Sequence, residues 1–272
     1  MSGNGALGVR VPLPMWQGGG TRVGFFTDTS LCIGCKACEV ACKEWNQVAD
    51  RDTGWSGNSY DNTMALGANS WRHVAFVERP ATGAGRGLDW LMSSDVCKHC
   101  TQAACLEVCP TGAIFRSEFG TVVVQDDICN GCGYCVAACP FGVLERRQDD
   151  GRAFKCTLCY DRLKVGEQPA CAKACPTESI QFGPLEELRE RAQRRLGEVT
   201  PDHPGARLYG ADSSDGVGGF GAFFLLLDEP EVYGLPPRPS YQRADLAVMW
   251  GAALASATLL LGGVAGALRW RR

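Results

Sequence analysis

Sixteen cysteines stand in this 272-residue chain, and all of them fall into four groups of four. The first group, Cys32, Cys35, Cys38 and Cys42, is spaced C-x2-C-x2-C-x3-C; the third, Cys129, Cys132, Cys135 and Cys139, repeats that spacing and adds Pro140. The second, Cys97, Cys100, Cys105 and Cys109 before Pro110, widens one gap to four residues, and the fourth, Cys156, Cys159, Cys171 and Cys175 before Pro176, widens the same gap to eleven. Triplets at this spacing are poor disulfide geometry, and residues 1–22 show neither the apolar core nor the twin arginine of an export signal. Zinc sites of four cysteines are usually built from two separated C-x2-C pairs. Three thiolates in a short loop, with a fourth opening a turn, suit a cubane iron–sulfur cluster better, since three corners are held locally and the fourth comes from elsewhere. Four groups imply four [4Fe-4S] clusters. Such a chain is most simply a wire for single electrons.

The groups resemble the loops of bacterial ferredoxins, in which the fourth cysteine of one group serves the other cluster of a pair. Groups two and three are adjacent and should form one two-cluster unit, so groups one and four must meet across the intervening chain to form the second. The inferred ligand sets are Cys32, Cys35, Cys38 with Cys175, and Cys156, Cys159, Cys171 with Cys42. In the other unit they are Cys97, Cys100, Cys105 with Cys139, and Cys129, Cys132, Cys135 with Cys109. The Cys-Pro turns at Pro110 and Pro176 each release a short apolar strand, Val122 to Val124 is a β-branched strand, and Val74 to Val77 is another candidate.

The expected fold is α+β, two pseudo-symmetric ferredoxin-like units with a long insertion and a single C-terminal transmembrane helix. Residues 1–22 read as an arm and 23–183 as the four-cluster domain. Within that domain the first unit takes 23–43 plus 154–183, the second 95–145, and the insertion 44–94. Residues 184–245 read as a surface helix followed by a Gly- and Pro-rich linker, 246–268 as the membrane helix and 269–272 as a basic tail. Trp45, Trp55, Trp71 and Trp90 in and around the insertion are expected to pack internally, with a cluster or partner contact as the alternative.

Charge narrows the partners. The formal charge is −3 with neutral thiols; four oxidised clusters, each about −2 with their thiolates, would bring it to about −11. Lys36, Lys98, Lys155 and Lys173 stand beside ligands and could offset that charge. No basic patch interleaved with aromatics appears, so nucleic acid is not an expected partner. From Ala247 to Leu268 run 22 residues without a charge. As a helix this spans about 33 Å, enough for a hydrocarbon core of roughly 30 Å, so the lipid bilayer is an expected partner. Arg269, Arg271 and Arg272 favour a cytoplasmic C-terminus with the cysteine-rich body outside, while Arg238 and Arg243 on the other flank pull the opposite way. The span contains no histidine, which leaves any membrane haem to another subunit.

The chain resembles the β subunit of respiratory, membrane-bound formate dehydrogenase, the four-cluster subunit family of molybdenum or tungsten oxidoreductases. The matching stretches are Cys32-Ile-Gly-Cys-Lys-Ala-Cys with Glu44-Trp-Asn, Cys129-Asn-Gly-Cys-Gly-Tyr-Cys through Pro140-Phe-Gly, Lys155-Cys-Thr-Leu-Cys-Tyr-Asp-Arg, and Val165-Gly-Glu-Gln-Pro-Ala-Cys. The tail adds Gly216-Val-Gly-Gly and Asp228-Glu-Pro-Glu-Val-Tyr-Gly-Leu-Pro before the apolar span. The likeness covers about residues 23–268; Lys43 stands where a proline follows the fourth cysteine elsewhere, and the stretch after the span is short. It implies a catalytic pterin-bound molybdenum or tungsten α subunit that oxidises formate, a cytochrome b-type γ subunit that reduces quinone, and no haem, molybdopterin or catalytic residue on this chain. It also implies electrons passing by groups one, four, two and three, with the set of Cys129 nearest the membrane. The same wire in a sulfur-compound reductase or hydrogenase is the alternative, and a freestanding polyferredoxin a more distant one.

Overall fold

The computed structural model describes residues 21–49, 57, 60–80, 87–214, 216–240 and 246–270; the expected N-terminal arm up to residue 20, Trp55, Arg271 and Arg272 lie outside the described residues. In chain order the strands are β1 Val23–Asp28, β2 Arg72–Pro80, β3 Leu88–Val96, β4 Ile114–Arg116, β5 Val122–Val124, β6 Glu145–Arg146, β7 Ala153–Phe154, β8 Ile180–Pro184, β9 Arg207–Tyr209 and β10 Ala222–Leu226. The helices are α1 Ala37–Trp45, α2 Ala104–Glu107, α3 Tyr134–Ala138, α4 Tyr160–Lys164, α5 Ala170–Lys173, α6 Leu185–Val199 and α7 Leu246–Trp270.

All six residues of β1 are buried, because the strand lies inside a four-stranded sheet of order β8-β1-β10-β9. A strand covered on both faces can be apolar throughout instead of alternating. Val23 and Phe25 pack into the cysteine-rich core, while Phe26 packs on the other face with Leu188 and Ala192 of α6 and with Phe223 of β10. Gly24 is required for the tight fit of β1: a Cβ there would stand 2.0 Å from the Gly221 carbonyl oxygen. β8 runs antiparallel to β1, with Thr27 opposite Ile180, so the pairing carries group one to group four. Groups two and three are linked more simply, by the antiparallel β4–β5 pair. The insertion folds as the β2–β3 hairpin, with Arg72 opposite Val96.

The anticipated Val122–Val124 strand is β5, the turns at Pro110 and Pro176 lead into β4 and β8, and Val74 to Val77 lies within β2. α6 buries Leu185, Leu188, Ala192 and Val199 along one side, with Glu186 and Glu187 in its first turn, where acids suit the positive end of the helix dipole. The expected linker needs correcting. Residues 206–235 belong to the body: β9 and β10 are two of the four sheet strands, and Phe220, Phe223, Phe224, Leu225 and Leu226 are all 0% exposed. The run from Phe220 to Leu227 is apolar because it is a central strand, and the glycines around it permit close backbone approach.

The chain divides into two units, residues 1–241 and 242–272. Within the second, α7 is exposed along its described length, and Trp250–Arg269 has a mean hydropathy of 1.7. It is long and apolar enough to cross a membrane.

Candidate iron–sulfur sites

Each cysteine group opens with C-x-x-C, and the residue before its second cysteine has a left-handed backbone every time. The φ values are +66° at Gly34, +45° at His99, +73° at Gly131 and +61° at Leu158. Glycine adopts this conformation freely, whereas His99 and Leu158 do so at a cost. α2, α3 and α5 stop before the Cys-Pro pairs of their groups, since a residue preceding proline is driven out of the helical region. Group one has Lys43 at that place, and α1 continues to Trp45.

The loops gather the thiols in fours. One cavity is lined by Cys32, Cys35, Cys38 and Cys175, and a second by Cys97, Cys100, Cys105 and Cys139. Cys42 is surrounded electrostatically by Cys156, Cys171 and Cys159, and Cys135 by Cys129, Cys132 and Cys109. Every grouping therefore takes three thiols from one group and the fourth from another. The described residues contain no group of three His, Cys, Asp or Glu side chains converging on a single ion.

Burial, reinforced by neighbouring thiolates, raises most of these thiols: Cys38, Cys135 and Cys159 to about 11, and Cys105 and Cys156 to about 12. Cys109 is the exception. Burial is the largest single influence and raises it, but hydrogen bonds from Thr111 and the nearby backbone together outweigh that and lower it. Thiols this crowded and dry ionise only with positive charge among them, which the iron of a cubane would supply.

Fixed cations are also present. Lys98 and Lys155 are both 1% exposed. Lys155 Nζ donates to the Val122 and Cys156 carbonyl oxygens, while Lys98 Nζ pairs with Asp95 and lies 5.2 Å from the Phe141 ring centre. Lys36 is instead engaged by Glu39 and Asp61, each at 3.1 Å, and Lys173 is exposed. Of the four lysines named from sequence, two are thus enclosed with the thiols.

Three further side chains reach the sites, and of these only Asn46, at the end of the Glu44-Trp-Asn stretch, lay in a motif matched from sequence. Arg72 is 2% exposed, with Nη2 3.3 Å from Cys171 Sγ. Asn46, brought into place by the extended α1, points Nδ2 at Cys42 Sγ (3.7 Å) and Cys159 Sγ (3.8 Å). His99 Nδ1 accepts a 3.0 Å hydrogen bond from the Val122 amide, which places the ring proton on Nε2, a buried atom with no partner among the described residues. Burial, then Lys155 and Arg22, hold this imidazole neutral by pushing its pKa well below the usual range. An orphaned donor beside the four thiols of the second cavity suits a sulfide-rich ligand.

Among the tryptophans, Trp71 stacks on Phe154 inside the body, while Trp45 and Trp90 are 45% and 41% exposed. Trp45 Nε1 donates to Asp161 at 2.8 Å. The remaining histidines do no chemistry recognisable here: His73 pairs with Asp61 at 2.5 Å, and His203 is exposed.

Two family models, each described as a 4Fe-4S dicluster domain, match residues 88–185 and 31–113. The iron–sulfur subunit of the nitrate-inducible formate dehydrogenase of Escherichia coli (strain K12) is 43% identical over 235 residues, 84% of this chain and 76% of the relative. This protein belongs to the formate dehydrogenase iron–sulfur subunit family. The formate dehydrogenase iron–sulfur subunit of Haemophilus influenzae is 40% identical over 261 residues, 93% of this chain and 81% of the relative. A subunit of the anaerobic dimethyl sulfoxide reductase of E. coli is 37% identical over 171 residues, 63% of this chain and 78% of the relative. A formate dehydrogenase iron–sulfur subunit is an electron-transfer part of a larger complex, and the cysteine-lined sites are the part of this chain suited to that work.

Proposed function

We propose that this chain carries single electrons through four [4Fe-4S] clusters, from a formate-oxidising molybdenum or tungsten pterin subunit to a membrane cytochrome b subunit that reduces quinone. The grouping of sixteen thiols as three plus one carries this reading. It supports the ligand sets Cys32, Cys35, Cys38, Cys175; Cys156, Cys159, Cys171, Cys42; Cys97, Cys100, Cys105, Cys139; and Cys129, Cys132, Cys135, Cys109. A bound cubane supplies reversible one-electron chemistry. The chain itself holds the thiolates, buries seven of the sixteen cysteines and sets buried cations beside them.

Two ends suit hand-over to partners. Cys35 and Cys132 are the exposed thiols among the sixteen, one in the set of Cys32 and the other in the set of Cys129. Exposed apolar side chains flank both, Ile33 at 57% on one and Tyr134 at 63% on the other. A formate-oxidising complex is favoured over a sulfoxide reductase because likeness to formate dehydrogenase subunits reaches 84–93% of the chain, against 63% for the sulfoxide reductase subunit. α7 would anchor the chain in a single pass, with the body on the extracytoplasmic face and the arginine-bearing end in the cytoplasm.

Purifying the chain with its native partners tests the reading. About sixteen irons and as many acid-labile sulfides per chain are expected, with formate-dependent quinone reduction by the complex. Four zinc ions and no charge-transfer absorption would end the iron–sulfur reading; activity with a sulfoxide but not formate would end the formate reading. Protease added to intact spheroplasts should digest the body, and a protected body would reverse the orientation.

A further inference from the structure

Arg72 opens β2 with its guanidinium wholly enclosed, and among the described residues no carboxylate forms an ion pair with it. Its contacts are to sulfur and to β3. Nη2 lies 3.3 Å from Cys171 Sγ, while Nη1 lies 3.2 Å from both the carbonyl oxygen and the Oγ of Ser94. The face of Phe25 lies 4.9 Å away and fixes the plane of the group.

Ser94 Oγ is in turn 3.2 Å from Cys38 Sγ. A serine hydroxyl has one proton, and a guanidinium only donates. A cluster-bound Cys38 is a thiolate with no proton to give, so Ser94 Oγ, while accepting from Arg72, turns its own proton toward Cys38. A hydrogen-bonded link therefore runs Cys171–Arg72–Ser94–Cys38. Its two ends lie in different thiol groupings, Cys38 with Cys32, Cys35 and Cys175, and Cys171 around Cys42.

Energetics explain why the cation stays there. An unpaired buried charge costs several kcal/mol, so the guanidinium needs negative charge around it. Arginine keeps its proton throughout the working pH range, which makes this a permanent charge.

We propose that Arg72 is a charge shared by the cluster sites of groups one and four, raising both reduction potentials, and that Ser94 transmits part of the effect to the Cys38 site. Arg72 is a positioning residue in this scheme, acting through two ligands. The inference rests on the iron–sulfur reading above.

The test is a potentiometric titration of the intact complex followed by electron paramagnetic resonance, after iron analysis. Arg72→Gln should lower the potentials of two of the four clusters, each by at least tenfold in the reduced-to-oxidised ratio at fixed potential, or about 59 mV for one electron. Ser94→Ala should lower one potential only, and by less. Arg72→Lys should recover most of the charge effect at both sites. Should Arg72→Gln load poorly, Ser94→Ala decides, since it removes the link to the Cys38 site, and unchanged potentials in a fully loaded Ser94→Ala overturn the proposal. So does a fully loaded Arg72→Gln with all four potentials unmoved. Wild-type protein without iron would instead defeat the underlying reading.

Discussion

Groups two and three, the inner half in chain order, are joined by the short β4–β5 pair, whereas groups one and four, the outer half, meet where β1 pairs with β8 and α1 packs on α5. The chemistry around their sulfurs differs accordingly. In the inner half, sulfur contacts come from nearby chain: Thr111 Oγ1 lies 3.7 Å from Cys109 Sγ, and the Ala153 amide donates to Cys129 Sγ at 3.4 Å. The outer half has local contacts too, Leu158 N–H to Cys156 Sγ at 3.3 Å and Thr177 Oγ1 3.9 Å from Cys175 Sγ, but the insertion and its edges add Asn46, Arg72 and Ser94. The insertion is therefore part of the outer sites. Thiols brought together from distant sequence positions here acquire further polar neighbours from a separate hairpin, which makes the outer half the more composite structure.

That contrast is most severely tested by removing the exchanged thiol. Cys175→Ser should cost about four of the sixteen irons, and the signal lost should be that of the Cys32, Cys35 and Cys38 site. Loss confined to the Cys156, Cys159 and Cys171 site would break the grouping. Next in size, Phe223→Ala in β10 removes a ring that is 0% exposed and stacked on Phe26 at 5.3 Å. About 3–5 kcal/mol of stability should go with it, read as a lower midpoint for thermal bleaching of cluster absorbance.

Two glycines sharpen the comparison. Gly34, in the outer half, has φ +66°, and a Cβ there would lie 2.6 Å from Phe76 and 2.7 Å from Met92. Gly112, in the inner half, has φ +68° with open space around it. Gly112→Ala should cost about 1–2 kcal/mol for the left-handed backbone alone, and Gly34→Ala more, by the same bleaching assay. Equal costs would show that the packing of β2 and β3 on group one gives easily. The smallest effect is expected of Asn46→Ala: full iron content and a lowered potential at the Cys42 site only, by less than Arg72→Gln produces.

The metal-binding framework was legible because cysteine spacing is a local property. The strands after the Cys-Pro turns and the β-branched Val122–Val124 were legible for the same reason. The stretch 206–235 was misread because glycine and proline mark a linker and a tightly packed strand margin alike; what separates them is the long-range pairing of β10 with β1. β3 went unnoticed because Asp89, Ser93, Ser94 and Asp95 interrupt its apolar residues. Those interruptions include Ser94, which touches sulfur. Arg72 had no signature at all, since a single arginine before an apolar run looks like any strand end until the thiols are folded around it.

The position of β1 between β8 and β10 also sets a timetable for manufacture. Synthesis proceeds at about 5–20 residues per second, and β10 ends at Leu226. On the order of ten seconds or more must therefore separate the appearance of Cys42 from that of the strand completing the sheet beside it. Groups two and three can close once Cys139 has emerged, while the first cysteines to leave the ribosome wait in an open chain. Group one is thus the longest exposed to oxygen and to competing metal ions, and its site can be completed only once Cys175 and the strands flanking β1 have emerged. The first four thiols made are among the last to be enclosed.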